Sequence, residues 1–474
     1  MEKSTPSSPN GPKLVQYFGL TTGIILLISS IIGSGVYKKV APMSLDLESP
    51  YLILLAWLLA GVVTLLGVLT VAEIAMRLPV SGGPFAYLKE LYGEKTGYFY
   101  GWASFACIQS ASTASISYVS AQSLHAVFPL PILGGFWETY EVLGIFTPFA
   151  NLGVKLAAVA FILVLTFINT RGVHQGGMVS NVITVIVVTS LAIIVMAGLT
   201  AGGGAFNNIS LNSTTYPPDT FNQTGGFMKV MFLGMLSAFW AYEGWVNVGF
   251  VGDEIKNPQR NIPRILIFGM LLITGIYLLV NFTYLYVLPI DDLMAVARDT
   301  NSIAAVEVIR HFAGFEGAFA ISVLIIVTTL GCTNATILTS GRIYYAMAKE
   351  RLFFKQAAEI HPRFHTPNKS LWIFAIWSSI LVFSGTFDQL TDMLVFAQFI
   401  FYGLVVGGIF ILRKKMPTTE KGYKVLGYPV VPVLYLLFCV GLLGNTLVER
   451  PREAFMGLFL IVLGTPFYFL FKRK

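Results

Sequence analysis

The sequence predicts an all-α polytopic membrane protein with about twelve transmembrane helices. Hydrophobic residues make up 55% of the 474 residues and charged residues only 12%, whereas a soluble chain carries about 25% charged residues. The mean hydropathy is +0.72, and the charged residues cluster between long stretches that contain almost none. A soluble globular protein is therefore excluded, because such a chain has too little polar surface to face water.

Each predicted span is an apolar stretch, and about 20 such residues cross roughly 30 Å of hydrocarbon. The ninth span is short, whereas the third and eighth are long enough to tilt or to project beyond the bilayer. Lipid offers no water to an open backbone, so we expect every span to be helical. In chain order the spans are 18–42, 51–77, 97–128, 152–168, 178–199, 228–252, 265–288, 315–345, 371–384, 390–412, 430–448 and 454–471.

Lysines and arginines predict which side of the membrane each loop occupies. An even number of spans puts both termini on one side, and that side carries 23 of the 31 basic residues against 8 on the other. Both termini are therefore predicted to be cytoplasmic, in a protein of the plasma membrane. The chain divides into a disordered cytoplasmic tail (1–17), a first set of five spans (18–199), an outer loop (200–227), a second set of five spans (228–412) and two additional C-terminal spans with a cytoplasmic tail (413–474).

Net charge, cysteines and histidines point to no other class of protein. The net charge of +7 could suggest a nucleic-acid partner, but no basic domain is present to hold one. Cys107, Cys332 and Cys439 each lie inside an apolar stretch, so no disulfide framework is expected. His361 and His365 have the spacing of metal ligands but lack a third ligand nearby. We therefore expect no metal ion and no cofactor.

Two predicted spans are interrupted near their middles. The first contains Gly33-Ser34-Gly35, and the sixth contains Glu243-Gly244 at a comparable depth. Each is the first span of a set of five when the first ten spans are divided into halves. Glycine-interrupted spans at matching positions of two halves indicate an inverted-repeat transporter that binds its substrate at the interruptions.

The first interruption offers both poles that an α-amino acid zwitterion needs. Glycine lets the helix unwind, and a second half-helix that starts near Val36 points its free N–H groups into the gap, where they suit a carboxylate. The free carbonyls of Ser30, Ile31 and Ile32 end the first half-helix and suit an ammonium group. The alternative interpretation is close helix packing through small residues.

Glu243 is the only carboxylate that the sequence places deep within a span, beside Gly244 and close to Trp240. An ionisable residue at that depth is costly and is commonly functional. The alternative is a structural ion pair, although no basic partner at this depth is evident in the other spans. Glu73, near the end of its span, has Arg77 four residues later, and an interfacial helix pair explains it.

One face of the third span is polar. Small polar residues allow helices to approach each other closely, and this packing interpretation is favoured over a lining of the transport pathway. The face consists of Ser110, Ser112, Thr113, Ser115, Ser117, Ser120 and Gln122.

Four stretches of the chain carry a family resemblance. They are IIGSGVYKKVAP, RLPVSGGPFAYLKELYG, AFWAYEGWVNVGFVGDEIKNPQRNIPR and NATILTSGRIYYAMAKE. In these stretches and in their order the chain resembles the L-type amino acid transporter family of the amino acid–polyamine–organocation superfamily. The resemblance extends from about residue 14 to residue 450.

The resemblance implies a five-plus-five inverted repeat of the leucine-transporter type, followed by two additional helices. It also implies a secondary active transporter, not an enzyme, that exchanges neutral L-amino acids without Na⁺ by alternating access. In the family the glycine motif of the first span holds the substrate carboxylate, which corresponds here to Gly33, Ser34 and Gly35. The carbonyls of Ile31 and Trp240 would hold the amine, and the Trp240 side chain would close over the substrate.

Three features depart from the pattern of the family. Glu243 stands where many members have a small residue, which leaves the side-chain preference open. Val187 stands where many members carry a lysine that replaces a sodium-site charge, which reopens the question of ion coupling. Members that bind a glycoprotein heavy chain use a cysteine in the outer loop between spans three and four. Residues 129–151 contain none, so no disulfide-linked heavy chain is expected.

Three other functions compete with amino acid exchange. An H⁺- or Na⁺-coupled symporter of amino acids or amines is favoured by Glu243 and by the missing lysine. A membrane enzyme would need a convergent acid/base or metal constellation, whereas Glu243 has no histidine or cysteine partner in the sequence. A channel would need a continuous polar or charged lining, which the spans do not show.

Overall fold

The computed structural model describes residues 19–78, 82–142, 146–172, 176–209, 225–246, 255–416 and 422–472. Over these ranges the chain is helical apart from turns and one isolated β-bridge between Val142 and Phe146, as the all-α prediction requires. The predicted tail (1–17) and much of the outer loop lie outside them. The helices are α1 (Leu20–Ile31), α2 (Gly35–Lys38), α3 (Val40–Leu47), α4 (Pro50–Arg77), α5 (Gly83–Tyr92), α6 (Glu94–Ala103), a π turn (Ser104–Ile108), α7 (Gln109–Val127), α8 (Phe136–Thr139), α9 (Leu152–Thr170), α10 (Gly176–Thr200), a 3₁₀ turn (Phe206–Asn208), α11 (Gly226–Ala241), α12 (Pro258–Val287), α13 (Ile290–Arg298), α14 (Ala304–Lys349), a 3₁₀ turn (Lys355–Ala358), α15 (Asn368–Val382), α16 (Phe387–Lys415), α17 (Val430–Glu449), α18 (Pro451–Val462) and α19 (Gly464–Lys472).

Apolar helices long enough to cross a bilayer establish a multi-pass membrane protein. In the described ranges there are eight of them: α4, α9, α10, α12, α14, α16, α17 and the run from α18 to α19. Three shorter apolar helices, α1, α11 and α15, stand where the first, sixth and ninth spans are predicted. The third predicted span corresponds to α6, the π turn and α7. The count of twelve crossings and the inverted repeat stay predictions.

Two helices show how proline and glycine set the ends of spans. α12 begins at Pro258, before the predicted start at 265. Proline suits the first turn of a helix, because the backbone N–H that it lacks would have no hydrogen-bond partner within the helix there. Within α14, Gly314 has φ 64° and ψ −156°, a conformation that favours glycine. The resulting kink separates a short helical segment from a long one, and it lies at the predicted start of the eighth span.

Ion pairs identify which helix ends lie together. Lys472 at the end of α19 pairs with Glu94 at the start of α6, at 2.7 Å. Lys89 of α5 pairs with Glu350, directly after α14, also at 2.7 Å. We call this the terminal end of the bundle, because the last helix of the chain ends there. The outer end is the opposite one, where α7 ends and α14 and α16 begin.

Glu73 is bound more extensively than its predicted helix pair requires. Its carboxylate is fully buried and lies 2.8 Å from Arg77, which confirms the predicted pair. It also contacts Arg413 of α16 at 2.6 Å and accepts a hydrogen bond from the Val425 N–H at 2.8 Å. A buried charge needs such compensation. Glu73 therefore has a structural role, tying α4 to the end of α16.

An aromatic cluster supports both interrupted spans. The ring centroids of Trp57, Tyr242 and Tyr277 lie 5.1 to 5.9 Å apart. The Tyr277 hydroxyl lies 2.7 Å from the carbonyl oxygen of Ala241 and 3.2 Å from that of Ile31. These carbonyls belong to the last residues of α11 and α1, and helix ends leave their carbonyls without intrahelical partners. One side chain of α12 thus stabilises both interruptions.

Candidate substrate site

The first span is interrupted where the glycine motif predicts. α1 ends at Ile31, Ile32 is extended with φ −75° and ψ 103°, and α2 begins at Gly35. Residues 32–34 are therefore unwound and separate the two half-helices. The second half-helix starts one residue earlier than expected.

The sixth span is interrupted as well. α11 ends at Ala241, and Gly244 has φ 109°, a conformation that L side chains rarely adopt. A Cβ at this position would overlap the carbonyl oxygen of Ser30. Gly244 thus permits the two interruptions to touch. The continuation of the span, residues 247–254, lies outside the described ranges.

The two glycines of the first interruption have different roles. A Cβ on Gly35 would lie 2.7 Å from the Cα of Ala241, which is closer than real side chains approach. A Cβ on Gly33 would meet only the Sγ of Cys332, at 3.9 Å, which is ordinary van der Waals contact. The motif predicts one role for both glycines, whereas the packing requires glycine only at position 35.

A cavity of about 290 Å³ lies where the two interruptions meet. Its volume is close to the lower limit of roughly 300 Å³ for small-molecule sites, so it suits a small substrate. The remaining walls come from α1, the π turn, α7, α14 and α16. All the residues predicted to bind substrate line this cavity: Ile31, Gly33, Ser34, Gly35, Trp240, Glu243 and Gly244.

Several polar groups of the cavity are free to bind a ligand. The Ser34 hydroxyl and the Trp240 indole N–H are buried without a hydrogen-bond partner among the described residues. The Ile31 oxygen has one neighbour, the Tyr277 hydroxyl at 3.2 Å. The Trp240 oxygen accepts from the backbone N–H groups of Tyr242 and of Glu243, the latter at 3.3 Å. A carbonyl oxygen has two lone pairs, so the Ile31 oxygen can accept a further hydrogen bond from a substrate ammonium.

Glu243 is partly buried in the cavity wall and is hydrogen-bonded to a tyrosine. Its Oε2 accepts a hydrogen bond from the Tyr402 hydroxyl at 2.8 Å, and the phenolic oxygen accepts one from the Gln398 amide at 2.5 Å. Within the described ranges it makes no ion pair with a basic side chain at 4.0 Å or less. The structural ion pair considered as an alternative therefore finds no partner in this part of the chain.

The cavity opens towards the terminal end of the bundle. Ser30, Ala335 and Thr339 line it and are exposed. Ala335 and Thr339 belong to the half of α14 that leads to the terminal end. In this conformation a solute can therefore reach the interruptions from that end.

Buried charges close the outer end. Lys39 is completely buried, and its ammonium lies 2.7 Å from Asp388 and 3.7 Å from Asp392. Lys38 is also buried and donates a hydrogen bond to Gln122 of α7 at 2.7 Å. These contacts join the second half-helix of the first span to α7 and to the start of α16.

Phe387 connects these charges to the cavity. Its ring centroid lies 5.1 Å from the Lys38 ammonium and 5.0 Å from that of Lys39, within the range of cation–π attraction. The indole of Trp240 meets the same ring edge-on at 6.2 Å. The side chain predicted to close over the substrate thus contacts the group that closes the outer end.

Two residues of the polar face of the third span make hydrogen bonds to α14. The hydroxyl of Ser120 donates to Thr329 at 2.7 Å, and Ser117 lies 3.4 Å from Thr333. The packing interpretation is confirmed for these residues. Ser112 differs, because it lines the cavity.

Several residues of the site were not predicted from the sequence. On α16, Leu394, Gln398 and Tyr402 recur every four residues and therefore share one helix face. Polar side chains at that spacing within an apolar span are the signal that could have indicated this face. They include Gln109, Cys332, Thr336 and Leu394, which line the cavity, and Gln398 and Tyr402, which support Glu243.

Two further predictions concern ions. Val187 is buried in α10, near a hydrogen bond of 2.6 Å between the hydroxyls of Tyr37 and Ser190. Its side chain thus brings no charge to this position. In the loop that the sequence predicts to be cytoplasmic, His361 Nδ1 accepts a hydrogen bond from the Phe364 N–H at 3.2 Å. The described part of the chain contains no group of three or more side chains that could hold a metal ion.

Comparison with known proteins identifies relatives along nearly the whole chain. A family model described as amino acid permease matches residues 16–465. The chain is 29% identical to the serine/threonine exchanger SteT of Bacillus subtilis (strain 168), over 97% of this chain and 98% of that protein. It is 28% identical to the b(0,+)-type amino acid transporter 1 of Homo sapiens, over 99% and 91%. It is 27% identical to the large neutral amino acids transporter small subunit 2 of Mus musculus, over 99% and 83%.

These relatives are named as transporters and exchangers, and the protein is not an enzyme. The matched range includes both interrupted spans and every residue that lines the cavity. The chain belongs to the amino acid permease family of the amino acid–polyamine–organocation superfamily, and its relatives are consistent with the predicted place among the L-type amino acid transporters.

Proposed function

We propose that this protein is a secondary active transporter that exchanges neutral L-amino acids across the plasma membrane by alternating access, without Na⁺. The observation that carries the proposal is the cavity where the interruptions of α1 and α11 meet. It combines donors for a carboxylate, at Ser34 and Gly35, with an acceptor for an ammonium group, at Ile31. The names of the relatives, among them a serine/threonine exchanger, support exchange.

The conformation fits one half of an alternating-access cycle. With both termini in the cytoplasm, the cavity faces inwards, and the outer end is held closed by Lys39 and Asp388. Transport requires the opposite arrangement as well, in which α2 separates from the start of α16. The ion pair therefore belongs to the contacts that the cycle must break.

The bilayer and the amino acid are the partners that we propose. Residues 129–151 contain no cysteine, and Cys107, Cys332 and Cys439 are free thiols. A heavy chain linked through a disulfide in that loop is therefore not expected.

Purified protein in liposomes tests the proposed exchange. Vesicles loaded with an amino acid should take up labelled amino acid much faster than empty vesicles, and replacing Na⁺ with K⁺ should not slow the uptake. Compounds that lack the α-carboxylate or the α-amine should compete poorly, because each pole of the zwitterion has its own binding groups. Equal uptake by loaded and empty vesicles would contradict exchange, and strong competition by simple amines would contradict the zwitterion site.

Ion-coupled symport is the second candidate function. It is favoured by Glu243, a carboxylate of the cavity wall without a basic partner among the described residues, and by Val187 in place of the lysine of many family members. Uptake into empty vesicles driven by an imposed H⁺ or Na⁺ gradient would establish symport in place of exchange.

A further inference from the structure

Two polar side chains of α16 form a hydrogen-bonded chain behind Glu243. Gln398 and Tyr402 lie one helical turn apart, on the face that also carries the cavity residue Leu394. Their exposed fractions are only 4% and 2%. Buried polar side chains in an apolar span need a partner, and the last acceptor of this chain is the Glu243 carboxylate.

The hydrogen bonds of this chain have one consistent direction. The Gln398 amide donates to the Tyr402 oxygen at 2.5 Å, and the single phenolic proton of Tyr402 is then donated to Glu243 Oε2 at 2.8 Å. The tyrosine ring is held by Trp245, with the ring centroids 5.0 Å apart. The carboxylate is therefore oriented as a hydrogen-bond acceptor.

An acceptor carboxylate in a cavity wall calls for a donor from the ligand. Glu243 has no basic partner within 4.0 Å among the described residues, and both members of the chain behind it are uncharged. A desolvated carboxylate gains most from a charged or hydrogen-bonding partner. Ile108 and Ile116 add apolar wall that suits the aliphatic stem of a substrate side chain.

We propose that Tyr402 and Gln398 are positioning residues that hold Glu243 as an acceptor, so that the carrier prefers amino acids whose side chain ends in a hydrogen-bond donor. Among neutral amino acids this favours a hydroxyl over an apolar isostere, and it admits cationic side chains. The inference rests on the proposed amino acid exchange, and it widens the side-chain class from neutral side chains to those that donate a hydrogen bond, cationic ones included.

Competition in proteoliposomes between substrates that share a carbon skeleton tests the inference. Lysine and norleucine share a four-carbon stem and differ in the terminal ammonium, and threonine and 2-aminobutyrate differ in a hydroxyl. In each pair the amino acid whose side chain donates a hydrogen bond should have the lower KM. For lysine we expect a difference of roughly tenfold or more, because the hydrogen bond is made to a charged group. Glu243→Gln should remove most of the lysine preference, and Tyr402→Phe or Gln398→Leu should reduce it several-fold while kcat changes less.

Two further variants separate positioning from general destabilisation. In the double variant of Glu243→Gln and Tyr402→Phe the preference should fall no further than in Glu243→Gln, because Tyr402 acts through Glu243. Tyr98→Phe is the matched control. Tyr98 is fully buried and donates a hydrogen bond of 2.8 Å to the Gly464 carbonyl, away from the cavity, so both preferences should stay at wild-type values.

The outcomes distinguish this inference from the proposed function. Equal KM values for lysine and norleucine in the wild-type protein would overturn the inference and leave amino acid exchange intact. A wild-type lysine preference in Tyr402→Phe would overturn the positioning role, and Gln398→Leu decides the same question if the first variant does not fold. Absence of exchange for every amino acid would overturn the proposed function, and the inference with it.

Discussion

Gly35 sets how closely the second half of the first span approaches the end of α11. A methyl group there would lie 2.7 Å from the Cα of Ala241, so Gly35→Ala must push the two interruptions apart. Such overpacking costs about 1–3 kcal/mol. We expect uptake to fall by at least roughly tenfold, since a shift of this kind misplaces binding groups, while the apolar spans still insert. Initial uptake rates and the Tm of the purified protein check this.

Gly275→Ala is the matched control for Gly35→Ala. Gly275 lies on α12 and is exposed, with no atom within 4 Å of an added Cβ. Its substitution should leave uptake and Tm near wild-type values. Normal uptake by Gly35→Ala would show that the first interruption is not the carboxylate site.

The pH dependence of transport should follow Glu243. Glu243→Gln keeps the shape of the side chain and its contact with Tyr402, but the amide does not titrate. Uptake measured over a series of pH values should therefore give a flatter profile in the variant. Tyr100, Tyr402 and Tyr435 are titratable neighbours of the carboxylate, and they stay in place. A well-expressed variant with unchanged affinity, selectivity and pH profile would contradict any role of Glu243 in the site.

A residue of the site could be predicted from the sequence when its type is rare within a transmembrane helix. Glu243 was recognisable because a carboxylate deep in an apolar helix is rare, and Gly35 because glycine interrupts helices. For Tyr402 and Gln398 the sequence offers only their four-residue spacing within an apolar span. Tyr402 belongs to the site only because it contacts Glu243, which is 159 positions away in the chain. A single sequence carries no information about such a contact.

The end of α11 carries the side chain that separates the cavity from the outer end. Trp240→Ala would remove the indole between the cavity and Phe387. We expect KM to rise and kcat to fall, because closure over the substrate is lost, while Trp240→Phe should retain part of the activity. Uptake kinetics and membrane expression of the two variants measure this.

Trp102→Ala gives the comparison for a buried tryptophan outside the site. Trp102 is 3% exposed, and its indole donates a hydrogen bond of 2.9 Å to the Leu460 carbonyl. Its removal should lower Tm through the loss of packing, with KM unchanged. A KM in Trp240→Ala that equals the wild-type value would contradict the role of the indole in closure.

The helices themselves were largely predictable, because apolar length and the absence of charge decide where a chain crosses a membrane. Local changes of helix geometry that involve no glycine or proline were not predictable. The π turn at Ser104–Ile108 was missed. It is accompanied by the Ser110 hydroxyl, which donates to the Phe105 carbonyl at 2.6 Å. Serine makes similar bonds to its own helix in regular segments, so the sequence gives no warning.

The arrangement of charges at the outer end was not predictable either. Lys38 and Lys39 count as ordinary outer-side lysines in the sequence, yet the structure buries both. Lys39 meets Asp388, which is 349 positions away, and Lys38 meets Gln122, which is 84 positions away. Long-range pairing of this kind decides which end of the cavity is closed. Counting basic residues in the sequence only predicts on which side of the membrane a loop lies.

The ion pair between Lys39 and Asp388 should bias the whole molecule towards the conformation that is open at the terminal end. Asp388→Asn removes one charge, while Asp392 stays 3.7 Å from the lysine, so the protein should still fold. The Asp388 side chain is 40% exposed, and pairs that reach solvent contribute about 1 kcal/mol at most. A loss of that size shifts a two-state equilibrium about fivefold, away from the terminal-open state.

Labelling of Cys332 measures that shift. Cys332 lines the cavity, whereas Cys107 and Cys439 are buried, so a membrane-impermeant thiol reagent added on the terminal side reports the open cavity. The rate should fall by up to about fivefold in Asp388→Asn. Lys229→Met is the control, because it breaks a 3.0 Å pair with Glu449 that joins α11 to α17 and does not involve α2. An unchanged or faster rate in Asp388→Asn would show that the pair does not hold the outer end closed.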